Sequence, residues 1–323
     1  MNHAAFKNTI KRWLARSLWA YGPDRLLRQL RRIGVTEGST LVVHSSWNAY
    51  NGFRGKPADL VRAFKAAVGE SGLLVMTSLP YQNMSSAQWL ASGKPMNVRR
   101  SPSMMGLVSE VFRRSEGVHR SLSATHPLLA WGRDAAAFVQ GHEDTDRPFG
   151  AGSPFARLLE RDALVLGFDA PFSTFTFHMY VEDQFAERLP VPLYEPELHR
   201  GKVIDYAGTE SVQSVRVPSA LANRQRRLDR IVARHEQNGA LRRARLGNTQ
   251  LVWIRAGAML QGVKELVDSG QAVQHRQDIF FFHAAKDLCA SQKPHIVFHD
   301  FLQNFLLRCK NNILDPLIVL EFC

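Results

Sequence analysis

Residues 173–183 read STFTFHMYVED. A single histidine, His178, stands among phenylalanine, methionine and tyrosine, with a carboxylate, Glu182, four positions on. On a helix that spacing puts imidazole and carboxylate on one face. A carboxylate beside an imidazole orients the ring and favours its charged form, which suits a general base. A histidine in such aromatic company also reads as a packed core residue, and both readings stand at this point.

Three other stretches carry reactive residue types. HSSWNAYNGFRG (44–55) runs from a polar strand end through a glycine-containing loop to a helix start, where backbone N–H groups can face an anion. It is neither a Walker loop nor a complete dinucleotide fingerprint. In HRSLSATHPLLAWG (119–132), Ser121, Ser123, Thr125 and His126 precede a strand, which fits a pocket wall or a surface turn. GHEDTDRPFGAGSPF (141–155) places Glu143, Asp144 and Asp146 in one loop, fit to hold a cation or simply to be solvated.

The elements that must position these residues alternate. TLVVHSS is a strand by its β-branched run, Pro57 opens the helix PADLVRAFKAAVG, and GLLVMTSL is the next strand, a pattern that predicts a parallel crossover. PLLAWG and ALVLGF read as strands, MMGLVSEVFRRS, DAAAFVQGH and SPFARLLERD as helices. A β-rich excursion is expected from RLPVPLYEPEL to about 219, a basic helical region over 220–246, a strand at TQLVWIRAG and a final helix at AMLQGVKELVDSG. The alternation predicts an α/β fold. In open α/β sheets ligands bind beyond the carboxyl ends of the strands, and STFTFHMYVED directly follows the strand ALVLGF and the turn DAPF.

Composition narrows the class. The chain has 323 residues, 45% hydrophobic and 22% charged, with no apolar run long enough to span a membrane. Its start shows no signal-peptide pattern. Cys289, Cys309 and Cys323 form no disulfide framework and match no zinc spacing, so no metal and a cytoplasmic setting are expected. The net charge of +12 is concentrated in arginine clusters near the N-terminus and over 224–245. These are solvated helix faces or anion-binding patches; no zinc-finger or RNA-binding signature accompanies them, so no specific nucleic-acid partner is expected. Residues 1–23 contain a basic amphipathic helix over 4–20, which packs on its own domain or touches a membrane surface. From about 273 the texture changes, and 273–323 reads as an atypical extension.

The reactive stretches occur together and in order, with VGESGLLVMTS between the first two. In that order they resemble the aminoglycoside 3-N-acetyltransferase family over roughly residues 25–272. The final block is similar to members found in surface-polysaccharide gene clusters. The resemblance implies a layered α/β sandwich with a central mixed, mainly parallel sheet flanked by helices, in an acetyltransferase domain over 24–272. It implies acetyl-CoA as co-substrate, held by His44, Ser45, Ser46, Trp47, Ser121 and His126. It implies catalysis by Thr176, His178 and Glu182, and an aminoglycoside or amino-sugar acceptor against Glu143, Asp144 and Asp146. This chain departs from the family's threonine–histidine–glutamate spacing. Anchored on Thr176 and Glu182, Met179 takes the histidine's place and His178 stands one residue early.

The expected chemistry is direct attack of an amine on the thioester. His178, oriented by Glu182 or another carboxylate, removes the ammonium proton, and backbone N–H groups near Ser45 and Ser46 steady the oxyanion. The alternative is a catalytically lapsed CoA- or anion-binding protein associated with a membrane through residues 4–20.

Overall fold

The computed structural model describes residues 11–274 except 12, 16, 49 and 272. Among them, ten strands follow in chain order: β1 (Thr40–Ser45), β2 (Leu73–Thr77), β3 (Met96–Asn97), β4 (His119–Arg120), β5 (Leu128–Gly132), β6 (Leu164–Phe168), β7 (Tyr194–Ile204), β8 (Glu210–Pro218), β9 (Arg242–Leu246) and β10 (Thr249–Arg255). Seven form one sheet in the order β4-β5-β2-β1-β6-β10-β9. β1 is parallel to both β2 and β6, and antiparallel pairings extend the sheet on each side. β4, β2, β1, β6 and β9 therefore point one way, β5 and β10 the other. The expected layered α/β sandwich around a mixed, mainly parallel sheet is what forms, with parallel pairing confined to β2-β1-β6.

Two cores explain why the central strands are apolar on both faces. Val42, Val75, Val165, Val252 and Ile254 enter one core with the helices Ala135–Val139, Pro154–Glu160, Phe177–Asp183, Leu228–Gln237 and Ala256–Asp268. Their neighbours Leu41, Val43, Leu74, Leu166 and Phe168 enter the other, with the helices Pro23–Arg32, Pro57–Val68 and Leu107–Arg113. A strand covered on both sides reads as an unbroken apolar run rather than an alternating one. The expected crossover is present: the helix Pro57–Val68 joins β1 to β2, while helices of the opposite layer precede β6. Connections leaving to opposite faces open a crevice at the carboxyl ends of β1 and β6.

A second sheet, β3-β7-β8, forms the expected β-rich excursion. It covers a smaller core that includes Tyr81, Trp89, Met96, Val203 and Val215. The helical expectation for 220–246 needs correction at its end. Helices cover Ala220–Gln225 and Leu228–Gln237, but Arg242–Leu246 is β9, paired antiparallel with β10 across a turn with Gly247 at φ +60°. Its exposed Arg242, Arg243 and Arg245 are the charges an edge strand carries against further pairing.

The expected helix over 4–20 lies mainly outside the described residues. Residues 11 and 13–15 are helical, with Trp13 and Leu18 exposed and Ala15 buried. The expected 273–323 extension lies outside them too, save 273 and 274. No helix among the described residues is long and apolar enough to cross a membrane.

One residue couples the sheet to the crevice. Gly167 pairs with His44 in the β1–β6 register. The chain after β6 folds back so closely that a Cβ there would meet the Ala170 carbonyl oxygen at 2.1 Å and the Phe175 ring at 3.0 Å. Gly167→Ala should therefore destabilise the protein by about 1–3 kcal/mol, the usual cost of overpacking. Thermal unfolding checks this, and an unchanged melting temperature would show that the turn yields.

Candidate active site

A cleft of about 820 Å³ opens at the carboxyl ends of β1 and β6. One wall is His44, Ser45, Ser46 and Trp47, where β1 runs out into its loop. The facing wall is the turn after β6, with Asp169, Ala170, Pro171, Thr174 and Thr176. Met104, Met105, Gly106 and Leu107 form a third side, and Thr77, Gln82 and Asn83 close the end beyond β2. Sequence reasoning thus finds one wall and Thr176. It misses Asp169 and the methionine loop. Asp169 was legible in principle as the first residue after a buried strand; the methionine loop left no chemical signal.

His178 sits behind this wall rather than in it. It is buried, and its Nδ1–H donates to the Phe175 carbonyl. A carbonyl only accepts, so the lone pair is on Nε2, which has no protein partner. His44 is also buried, stacks on the Phe175 ring at 5.2 Å, and has an unpartnered Nε2 of its own. Burial lowers the His178 pKa to about 3, helped by the nearby Arg226 cation. Burial likewise lowers His44 to about 3, with His178 as the second cause. The two rings are thus close enough to sense each other's charge. Both are neutral at neutral pH, the state able to accept a proton.

Glu182 does not orient His178, a correction to the expected pairing. Both carboxylate oxygens accept from Nε of Arg226, at 2.7 and 2.9 Å, in a pair that is almost wholly buried. Glu182 is held by the Arg226 guanidinium, while His178, one turn earlier on the same helix, has its Nδ1–H on the Phe175 carbonyl and its Nε2 unpartnered. Met179 lines a small crevice with Glu182 and Arg226. Of the two adjacent residues, His178 is the one near the cleft-wall residue His44, close enough to lower its pKa. Removing one partner of such a pair leaves the other charge buried alone. Arg226→Ala should cost about 3–5 kcal/mol of stability, read from denaturant unfolding, with Glu182→Leu/Arg226→Met recovering most of it.

Ser121 and His126, expected at the cofactor, do not line this cleft. Leu128 N–H donates to Ser121 Oγ at 2.9 Å, Ser121 O–H donates to His142 Nδ1 at 2.9 Å, and His142 Nε2–H donates to the Pro148 carbonyl at 3.0 Å. His126 contacts Thr125 Oγ1 through Nδ1 at 3.0 Å and packs its ring 4.8 Å from Phe149. These groups anchor the loop over 141–150 to β5. Glu143, Asp144 and Asp146 of that loop are exposed, and Asp146 is paired with Arg216 at 3.0 Å. None of the three lines the cleft. Ser46 N–H, one of the expected oxyanion donors, already donates to the Phe168 carbonyl at 2.9 Å. The hydroxyl-bearing Ser45 and Ser46 side chains remain in the wall.

A doubly covered mixed sheet with a cleft at the ends of two parallel strands defines an α/β protein whose cleft lies at the crevice where open sheets of this class bind ligands. Residues 42–268 match the profile of the aminoglycoside 3-N-acetyltransferase family, and the chain belongs to that family. It is 34% identical over 149 residues to aminoglycoside N(3)-acetyltransferase IV of a Salmonella species, covering 44% of this chain and 51% of that one. It is 29% identical over 170 residues to aminoglycoside N(3)-acetyltransferase VII of Streptomyces paromomycinus, covering 49% and 59%. The matched stretch thus spans about half the length of these relatives. The fold is shared with AAC-IIIb solved as a binary complex with CoASH, at a TM-score of 0.65 and 21% identity, over 77% of this chain and 97% of that one.

The buried imidazoles carry a consequence for acid stability. His44, His126 and His178 are lowered to about 3, His142 and His235 to about 4, in each case chiefly by burial. Unfolded histidines titrate near 6.5. Between that value and the folded ones the unfolded chain binds more protons, so stability is full above pH ~6.5 and falls as pH drops. Each histidine contributes up to about 1.4 kcal/mol per pH unit in that window. Melting temperature should therefore decline steeply below pH ~6.5; a flat profile from there to pH ~4.5 would contradict it.

Proposed function

We propose that this chain transfers the acetyl group of acetyl-CoA to an amino group of an aminoglycoside or related amino sugar. The observation that carries the reading is the wall His44–Ser45–Ser46–Trp47 at the crevice of a domain matched to that family. The cleft is of the size that holds a small ligand. Its wall supplies the hydroxyl groups of Ser45 and Ser46 toward the thioester, and Thr176 stands in the facing wall. His44 at the wall and His178 behind it form the path for the acceptor's proton. The amine then attacks the thioester carbonyl directly, and CoA leaves as the thiol. A cytoplasmic setting fits a CoA thioester as co-substrate.

Release of free thiol from acetyl-CoA, measured across a panel of aminoglycosides and amino sugars, tests the reading. Turnover is expected with at least one primary amine. CoA binding without turnover across the panel would favour the lapsed, binding-only alternative. Loss of a general base typically costs 10²–10⁴-fold. His178→Ala should lower kcat by about that factor while leaving CoA affinity unchanged, as followed by calorimetry. Undiminished turnover in that variant would remove His178 from the proton path.

A further inference from the structure

We propose that Asp169 is the anchor for the acceptor's ammonium group, so that the cleft selects an amine that enters charged. This rests on the reading of the cleft as an acetyl-transfer site and adds the residue that recognises the acceptor.

Among the residues lining the cleft, only His44 and Asp169 have side chains that titrate near neutral or acidic pH. Asp169 directly follows β6, in the left-handed region at φ +51°. That conformation is unfavourable for a residue with a Cβ and persists only when its surroundings hold it. Here the hold is a clamp to β10. Asp169 N–H donates to the Gln250 carbonyl at 2.9 Å, and Gln250 N–H donates to Asp169 Oδ1 at 2.8 Å. The second oxygen, Oδ2, has no protein partner. Burial raises the Asp169 pKa, only partly offset by the Gln250 hydrogen bond and the Arg245 charge. A half-buried carboxylate with one oxygen fixed and one unmatched is complementary to a single ammonium group.

Glu143, Asp144 and Asp146, the carboxylates expected to meet the acceptor, do not line the cleft. Glu182 is closed by Arg226, and Asp146 is paired with Arg216 on an exposed loop. Asp169 is also well placed for the reaction. The register pairs His44 with Gly167 and Ser45 with Phe168, so Asp169 lies beside the point where β1 enters its loop at Ser46. An ammonium held there is at the wall that carries His44. The acceptor R–NH₃⁺ passes one proton through His44, whose lowered pKa makes it a relay and not a resting place for the proton. The freed lone pair forms the C–N bond to the thioester carbonyl carbon, the C–S bond breaks, and the departing thiolate takes a second proton from the nitrogen. His44 then returns its proton to water, so the sum is amide, CoA thiol and one released proton.

The test is titration of the aminoglycoside sisomicin into the CoA-free protein, alongside steady-state kinetics with acetyl-CoA. D169N is expected to weaken sisomicin binding and raise its KM by about tenfold or more, the loss of one charge-assisted contact, with D169E restoring part of it. The CoA dissociation constant should stay within about twofold, since a lost anion anchor for the amine leaves the cofactor wall intact. Sisomicin affinity and KM within about twofold of wild type in D169N would overturn the assignment, as would a wild-type protein that binds no amine. Failure of CoA to bind wild type would instead sink the acetyl-transfer reading, while the amine titration still decides Asp169. Should D169N not fold, the carboxyl carbon resonance of Asp169 in isotopically labelled wild type answers the same question. It must shift on adding sisomicin, and a fixed resonance overturns the proposal.

Discussion

The site depends on the parallel pairing of β1 with β6. Five consecutive pairs, from Leu41↔Leu164 to Ser45↔Phe168, fix where each strand stops. Beyond that end the two chains part, one into the loop at Ser46 and one into the turn at Asp169. Ser46 N–H still reaches back to the Phe168 carbonyl, so the opening begins at a defined atom. A slip of one residue would turn His44 and Gly167 to the opposite face. Burial of both faces makes such a slip costly, since Val42 and Val165 serve one core and Leu41 and Leu164 the other.

The aromatic residues of the opening stretch act within that frame. Phe175 stacks on His44 and accepts from His178 Nδ1 through its carbonyl. It therefore fixes one ring by its face and the tautomer of the other by its backbone. Phe172 packs against Phe175 from the helical layer. Neutral imidazoles are at home in such surroundings because a charged ring would lose its hydration. The buried charge in this region is instead carried by the Glu182–Arg226 pair, one helical turn from His178.

Much of the scaffold was legible because burial imposes patterns. Unbroken apolar runs marked β1, β2 and β6, and three-to-four spacing marked the helix Pro57–Val68. The arginine-rich strand β9 was not legible: its side chains face water, and its partner β10 supplies the pairing that local sequence lacks. Ser121 and His126 looked like pocket residues because hydroxyls beside a histidine suit a ligand. Their actual partners, His142 and Thr125 among them, show the same chemistry spent on holding a loop.

The alternation of strand and helix patterns determined the α/β class and the order of its blocks. The layered sandwich and the cofactor wall from His44 to Trp47 are what the family resemblance of those blocks implied. Only the tertiary structure decided which side of the last block meets the cleft, that Glu182 belongs to Arg226, and that Asp169 stands at the opening. Each is a contact between residues far apart in the chain, or a turn held by a neighbouring strand. Local spacing puts His178 and Glu182 on one helix face, and the Phe175 carbonyl that holds His178 is itself local, but Arg226, which claims Glu182, comes from 44 residues further along the chain.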